Sequence, residues 1–174
     1  MAVRRLKNKW HRPDGIQWTA KSMQSHGTAL AFIGWSSALD TARKLHGEDY
    51  HYESDHQRIG VVTELVAFAV HLCDRFCYER LSDENRTTLI NALGERLAGH
   101  MQENLEDIAG PGNYRPPFVA LLNQRLSDYA ETSFVDGEPG YDLLRFLGRS
   151  VLDVMGETQT NRWVIDQIMT IEAP

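Results

Sequence analysis

Leu89, Leu93, Leu97, Met101 and Leu105 recur every four residues, with Ile90 and Ile108 beside them. At 100° per residue this lays one apolar stripe along several turns of α-helix. A stripe of that kind has to be buried, so the rest of the chain must supply apolar faces to cover it. The ends of the segment agree with a helix. Ser82 can cap free N–H groups, and Asp83 and Glu84 suit the positive end of the helix dipole. Gly110-Pro111-Gly112 ends it.

Similar patterns run through the chain. A helix over about residues 17–46 carries Met23, Leu30, Ile33, Leu39, Ala42 and Leu45 on one side, broadened by Phe32 and Trp35. Gly27 and Gly34 lie seven apart on one face of it, which points to close approach of another backbone. A second helix, over about 57–80, is the most hydrophobic and is expected to be central. Val62, Leu65, Val66, Ala69, Cys73, Phe76 and Cys77 fall on its broad face, and Leu65, Val66, Ala69, Cys73 and Phe76 are expected to be deeply buried. Glu64, His71, Asp74, Arg75 and Tyr78 fall on a narrow strip opposite. Pro116-Pro117 opens a fourth helix, faced by Phe118, Leu121, Leu122, Leu126, Tyr129 and Ala130. The residues from Asp136 to Gly140 form a turn. Leu144, Leu147, Val151, Val154 and Met155 mark a fifth helix, and Trp163, Val164, Ile165, Ile168 and Ile171 a sixth.

No strand alternation, internal repeat or long linker interrupts this series. The expected fold is all-α: a single-domain, irregular antiparallel bundle of five to six helices over residues 17–174, preceded by a basic arm, residues 1–16. A chain of 174 residues, 42% hydrophobic and 24% charged, is long enough to bury a real core. The most apolar run, residues 61–73, is too short to cross a bilayer and contains Glu64 and His71. No hydrophobic leader stands near the start, and Cys73 and Cys77 are too few and too close for a disulfide framework. A reducing, cytoplasmic location without membrane contact is the expectation.

Charge is unevenly spread. Residues 1–21 hold six cations against Asp14, a balance of +5, while the remainder holds twelve Lys or Arg against 23 Asp or Glu, a balance of −11. An acidic body repels nucleic acid, so such contact falls to the arm alone, where Arg4, Arg5, Lys7, Lys9 and Arg12 surround Trp10 and His11. The plainer reading docks the arm on acidic surface of its own or a partner subunit.

Two sets of residues carry the elements of chemistry. The tract HGEDYHYESDH, residues 46–56, spaces His46, His51 and His56 among Glu48, Asp49, Glu53 and Asp55. Both Glu48-x-x-His51 and Glu53-x-x-His56 match the pairing of carboxylate-bridged metal sites. Such sites draw ligands from several facing helices, whereas these pairs share one short tract that opens on Gly47. The tract therefore reads as a solvated corner between helices, with a divalent-ion site of His51 or His56 and Glu53 as the alternative.

The polar strip of the second helix is the better candidate. Glu64 and His71 lie two turns apart, and His71 and Asp74 can pair across one turn. Facing inward, the three form an acid–imidazole cluster able to act as acid and base or, with His100 from the third helix, to hold a divalent transition metal. Facing outward, the strip is an ordinary polar side held by hydrogen bonds or an ion pair with Arg75. Asn104 lies within the third helix's stripe and is a further neighbour for the cluster. Cys73 and Cys77 are accounted for as small buried hydrophobes. No phosphate-binding loop, dinucleotide fingerprint, zinc-protease motif or nucleophile elbow is present.

Three expectations follow from the residues. The leading one is a non-catalytic helical module that assembles with itself or another protein, resting on its four tryptophans and other aromatics. It requires no cofactor. The second is a metal-dependent or acid–base enzyme built on Glu64, His71 and Asp74, with His100 as the added metal ligand. The third is nucleic-acid contact through the arm.

Overall fold

The computed structural model describes residues 19–47, 51–78, 80–156 and 164–169. Six helices follow one another among these residues: α1 (Ala20–Gly47), α2 (Asp55–Tyr78), α3 (Asp83–Ala109), α4 (Arg115–Ala130), α5 (Tyr141–Met155) and α6 (Val164–Gln167). The fold is an all-α helical bundle, as the periodicity predicts. A two-residue antiparallel ladder, β1 (Phe134–Val135) with β2 (Glu138–Pro139), lies between α4 and α5. The basic arm (residues 1–16), Glu48, Asp49, Trp163 and Ile171 lie outside the described residues.

The helix ends follow local chemistry. Ser82 caps α3 by accepting a hydrogen bond from the Asn85 backbone N–H, and Gly110, at φ 84°, closes it. Tyr114 makes no side-chain cap for α4. Gln102 of α3 does this instead, its amide oxygen accepting from the backbone N–H groups of Tyr114 (2.8 Å) and Arg115 (3.2 Å). In the expected turn, Asp136 and Gly137 both take positive φ (55° and 83°), the backbone of a tight two-residue hairpin.

α2 is the central element, packed on α1, α3, α4 and α5. With neighbours on so many sides, it buries residues all round its first two-thirds, including Val61, Val62, Val66, Ala67 and Val70. This corrects the expected split into one core face and one polar face. Glu64 and His71 are buried, at 1% and 5% exposure. Ala69 and Cys73 are only half-buried and Phe76 is 40% exposed, because these residues line an open groove rather than the core.

α1 packs chiefly on α3, and its buried stripe is Met23, Gly27, Ala31, Trp35, Ala38, Ala42 and Leu45. The expected stripe lay slightly off this line: Ile33 and Phe32 are 58% and 65% exposed. Small residues at the contact let two helices approach closely, and hydrophobicity alone overweights the larger side chains beside them. Gly27 shows the approach directly, since a Cβ there would lie 2.5 Å from the Leu89 carbonyl oxygen. Gly34 has no such neighbour, its nearest atom being the Ala69 Cβ at 3.8 Å. In α3, Leu89, Leu93, Leu97 and Met101 are buried as the four-residue recurrence predicts.

Candidate functional site

Glu64 and His71 of α2 are buried and Asp74 is half-buried, and each meets a different partner. Glu64 accepts two hydrogen bonds from the Arg125 guanidinium of α4, Nε to Oε2 at 2.6 Å and Nη2 to Oε1 at 2.8 Å. Arg125 Nη1 also reaches Asp128 Oδ2 at 3.2 Å, and its guanidinium lies 5.8 Å from the Phe146 ring centre of α5. Its pKa is pushed up, first by the hydrogen bonds to Glu64. Asp74 pairs with Arg86 of α3, Nε to Oδ1 at 2.6 Å and Nη2 to Oδ2 at 2.8 Å. Arg86 in turn lies 5.0 Å from the Tyr78 ring.

His71 sits between these ion pairs, 5.2 Å ring to ring from the fully buried Tyr129. Burial pushes its imidazole pKa down to about 4, assisted by Arg75 and opposed by Asp74. It is therefore neutral at ordinary pH. Tyr129 meets Phe68 and Phe146 edge-on at 5.9 and 5.3 Å, and its hydroxyl has no hydrogen-bond partner among the described residues. Burial raises the Tyr129 pKa, and the negative charge of Glu64 adds to this.

Glu64, His71 and Asp74 thus lie on one helix but do not converge on one point. Each carboxylate has both oxygens on a planar guanidinium, the geometry that best satisfies a buried acid. A carboxylate held that way is a poor base and a poor metal ligand. His100 is turned elsewhere, stacked on Trp35 of α1 at 5.5 Å with its Nε2 buried and unpartnered among the described residues. Its pKa is lowered, first by burial. Asn104 donates to the His100 carbonyl oxygen at 2.8 Å. Among the described residues no group of three or more His, Cys, Asp and Glu is arranged to hold a metal ion.

The histidine-rich corner also dissolves into local contacts. His51 and His56 are exposed, and His51 meets His46 edge-on at 5.8 Å. Glu53 is exposed too, its backbone N–H donating to Gln57 Oε1. Tyr52 packs the segment down by donating to the Ala42 carbonyl oxygen at 2.8 Å. The corner forms one wall of a cavity of about 590 Å³, floored by Leu39, Ile59, Val62 and Ile108 and rimmed by Arg43 and Arg58. Both rim arginines are already paired, with Asp40 and Asp55.

Arg125 and Arg86 were not foreseen from the sequence, and Tyr129 was expected only as part of the apolar face of α4. A signal for Arg125 existed: it lies among Leu121, Leu122, Leu126 and Tyr129, so a cation stood on the apolar side of α4. A buried cation there requires a buried acid opposite, and Glu64 was the acid on the most hydrophobic helix.

An apolar groove lies apart from these ion pairs. It measures about 260 Å³ and runs between α1 and α2, walled by Leu30, Gly34, Val66, Ala69, Cys73 and Phe76. Ile33 stands exposed along its α1 side. Burial pushes the Cys73 thiol up to about 11, so it contributes to the groove as an apolar group. Among the described residues, no helix is long and apolar enough to cross a membrane. Compared with known proteins, the chain matches no family model, no curated sequence and no solved structure.

Proposed function

We propose that this chain is a non-catalytic helical interaction module that binds another protein chain through the face formed by α1 and α2. The observation that carries this reading is the apolar groove with Ile33 and Phe76 exposed at its edges. Monomeric proteins rarely leave large apolar side chains clustered around a trough, and such patches mark binding surfaces. The enzymatic reading is weaker, because guanidinium groups already occupy the carboxylates it would use. The polar centre is better understood as the part that orients α4 and α3 on α2.

The test is site-specific photo-cross-linking in cells producing the full chain. A benzophenone side chain at position 33 should trap a protein, and one at the exposed position 87 of α3 should not. Equal, background-level trapping at both positions would sink the proposal.

A further inference from the structure

The groove reaches Phe76, near the end of α2. Phe76 lines both the groove and a second depression of about 430 Å³, whose other walls are Arg75, Tyr78, Arg80, Phe134 and Asp136. Phe76 meets Phe134 edge-on at 5.5 Å. The Arg75 guanidinium lies 5.4 Å from the Phe134 ring centre and 6.0 Å from that of Tyr78, and the Arg80 guanidinium lies 5.8 Å from that of Phe76. Neither arginine forms an ion pair among the described residues, Asp136 included, whereas Arg86 and Arg125 each clamp a carboxylate. A guanidinium resting on an aromatic face keeps its N–H edge available for an acid.

We propose that this face takes an amphipathic helical segment of a partner protein, with apolar residues in the groove and an acidic end on Arg75 and Arg80. The inference rests on the interaction-module reading and names its partner. A trough between two helices is the shape that accepts the apolar face of a third. The two arginines at its end then select the charge and the direction of the segment. A second copy of the chain fits less well. A two-fold pair centred on Phe76 sets the same patch against itself, bringing Arg75 and Arg80 against their own counterparts.

Helical peptides displayed on phage and selected on the immobilised full chain test this. The selected peptides should carry apolar residues at helical spacing and Asp or Glu at one end. By fluorescence anisotropy their affinity should fall at least about tenfold for Arg75→Glu/Arg80→Glu and should weaken with salt. Peptides with Lys in place of the acids should bind that variant better than the wild type, which also shows that the variant is folded. Selected peptides that lack an acidic bias, or are insensitive to the charge reversal, overturn the acidic partner. If they still fail on Ile33→Glu, the broader reading survives. A dimer that sediments as such and dissociates in Ile33→Glu would make a second copy the occupant, with the same consequence. Neither peptides nor a dimer would overturn both readings.

Discussion

Arg125 of α4 holds both carboxylate oxygens of Glu64 of α2 across 61 residues of sequence, and Glu64 is 1% exposed. The pair fixes the rotation of α4 on the central helix, because the guanidinium fork accepts a carboxylate only in its own plane.

Removing one partner is therefore costly. Arg125→Leu should lower stability by about 3–5 kcal/mol, since it strands the buried Glu64 charge. Glu64→Leu/Arg125→Leu together should cost much less than the sum of the single changes, as apolar groups of similar volume often replace a buried pair with little loss. Urea denaturation of the four proteins in the cycle measures this. Strict additivity would show that the two side chains do not interact in solution.

His71 gives the protein an acid limit. Its folded pKa of about 4 lies below the ordinary value of 6.5, so the unfolded chain binds the extra proton first. The stability linked to this group is fully present above about pH 6.5. It falls as pH drops towards 4, by roughly 3 kcal/mol in all. Below pH 4 this residue adds nothing further. His71→Leu should flatten the wild-type slope between pH 6.5 and 4 in chemical denaturation. Parallel slopes for the two proteins would contradict a buried neutral imidazole.

The two α1 glycines should respond oppositely to alanine. At Gly27 a Cβ meets the Leu89 carbonyl oxygen at 2.5 Å and the Ala92 Cβ at 2.8 Å, so α1 and α3 must move apart. Gly27→Ala should cost about 1–3 kcal/mol through overpacking. At Gly34 the nearest atom is 3.8 Å away, and alanine's better helix propensity should add about 0.5–1 kcal/mol. Thermal midpoints of the two variants decide it. Equal shifts would mean that α1 does not rest on α3 at Gly27.

Much of the architecture was legible in the sequence because helical periodicity and its stop signals are local. The leucine stripe of α3, the Ser82 cap, the prolines opening α4 and the Asp136-Gly137 turn each depend on a few neighbouring residues. What was not legible depends on pairs far apart in the chain. Nothing near Asp74 in sequence distinguishes Arg75, its neighbour, from Arg86, its actual partner. The face of α1 was misplaced for a related reason. Contact with α3 selects Gly27, Ala31 and Ala38 for being small, and a hydrophobicity pattern ranks Phe32 and Ile33 above them.

Zinc or manganese added to the full chain should leave its thermal midpoint unchanged after treatment with chelator. A metal that bound the folded state would raise stability in proportion to its affinity. Displacing Arg125 or Arg86 to free a carboxylate would break a two-bond ion pair at a partly buried site, opposing any such gain. A saturable rise in the midpoint that disappears in His71→Ala would revive the metal-dependent alternative.

Leu65 and Phe76 share the broad apolar face of α2 but should differ sharply when truncated. Leu65 is 9% exposed and belongs to the core cluster, so Leu65→Ala should cost about 2–5 kcal/mol through lost burial and a residual cavity. Phe76 is 40% exposed and joins the groove to the arginine pocket, so Phe76→Ala should cost below about 2 kcal/mol despite removing the larger side chain. Denaturant titrations of both variants check the order. A larger loss at Phe76 than at Leu65 would place Phe76 in the core, and the groove would then lose its role as an open surface. With the expected order, Phe76 supplies apolar area that folding leaves free for another chain to cover.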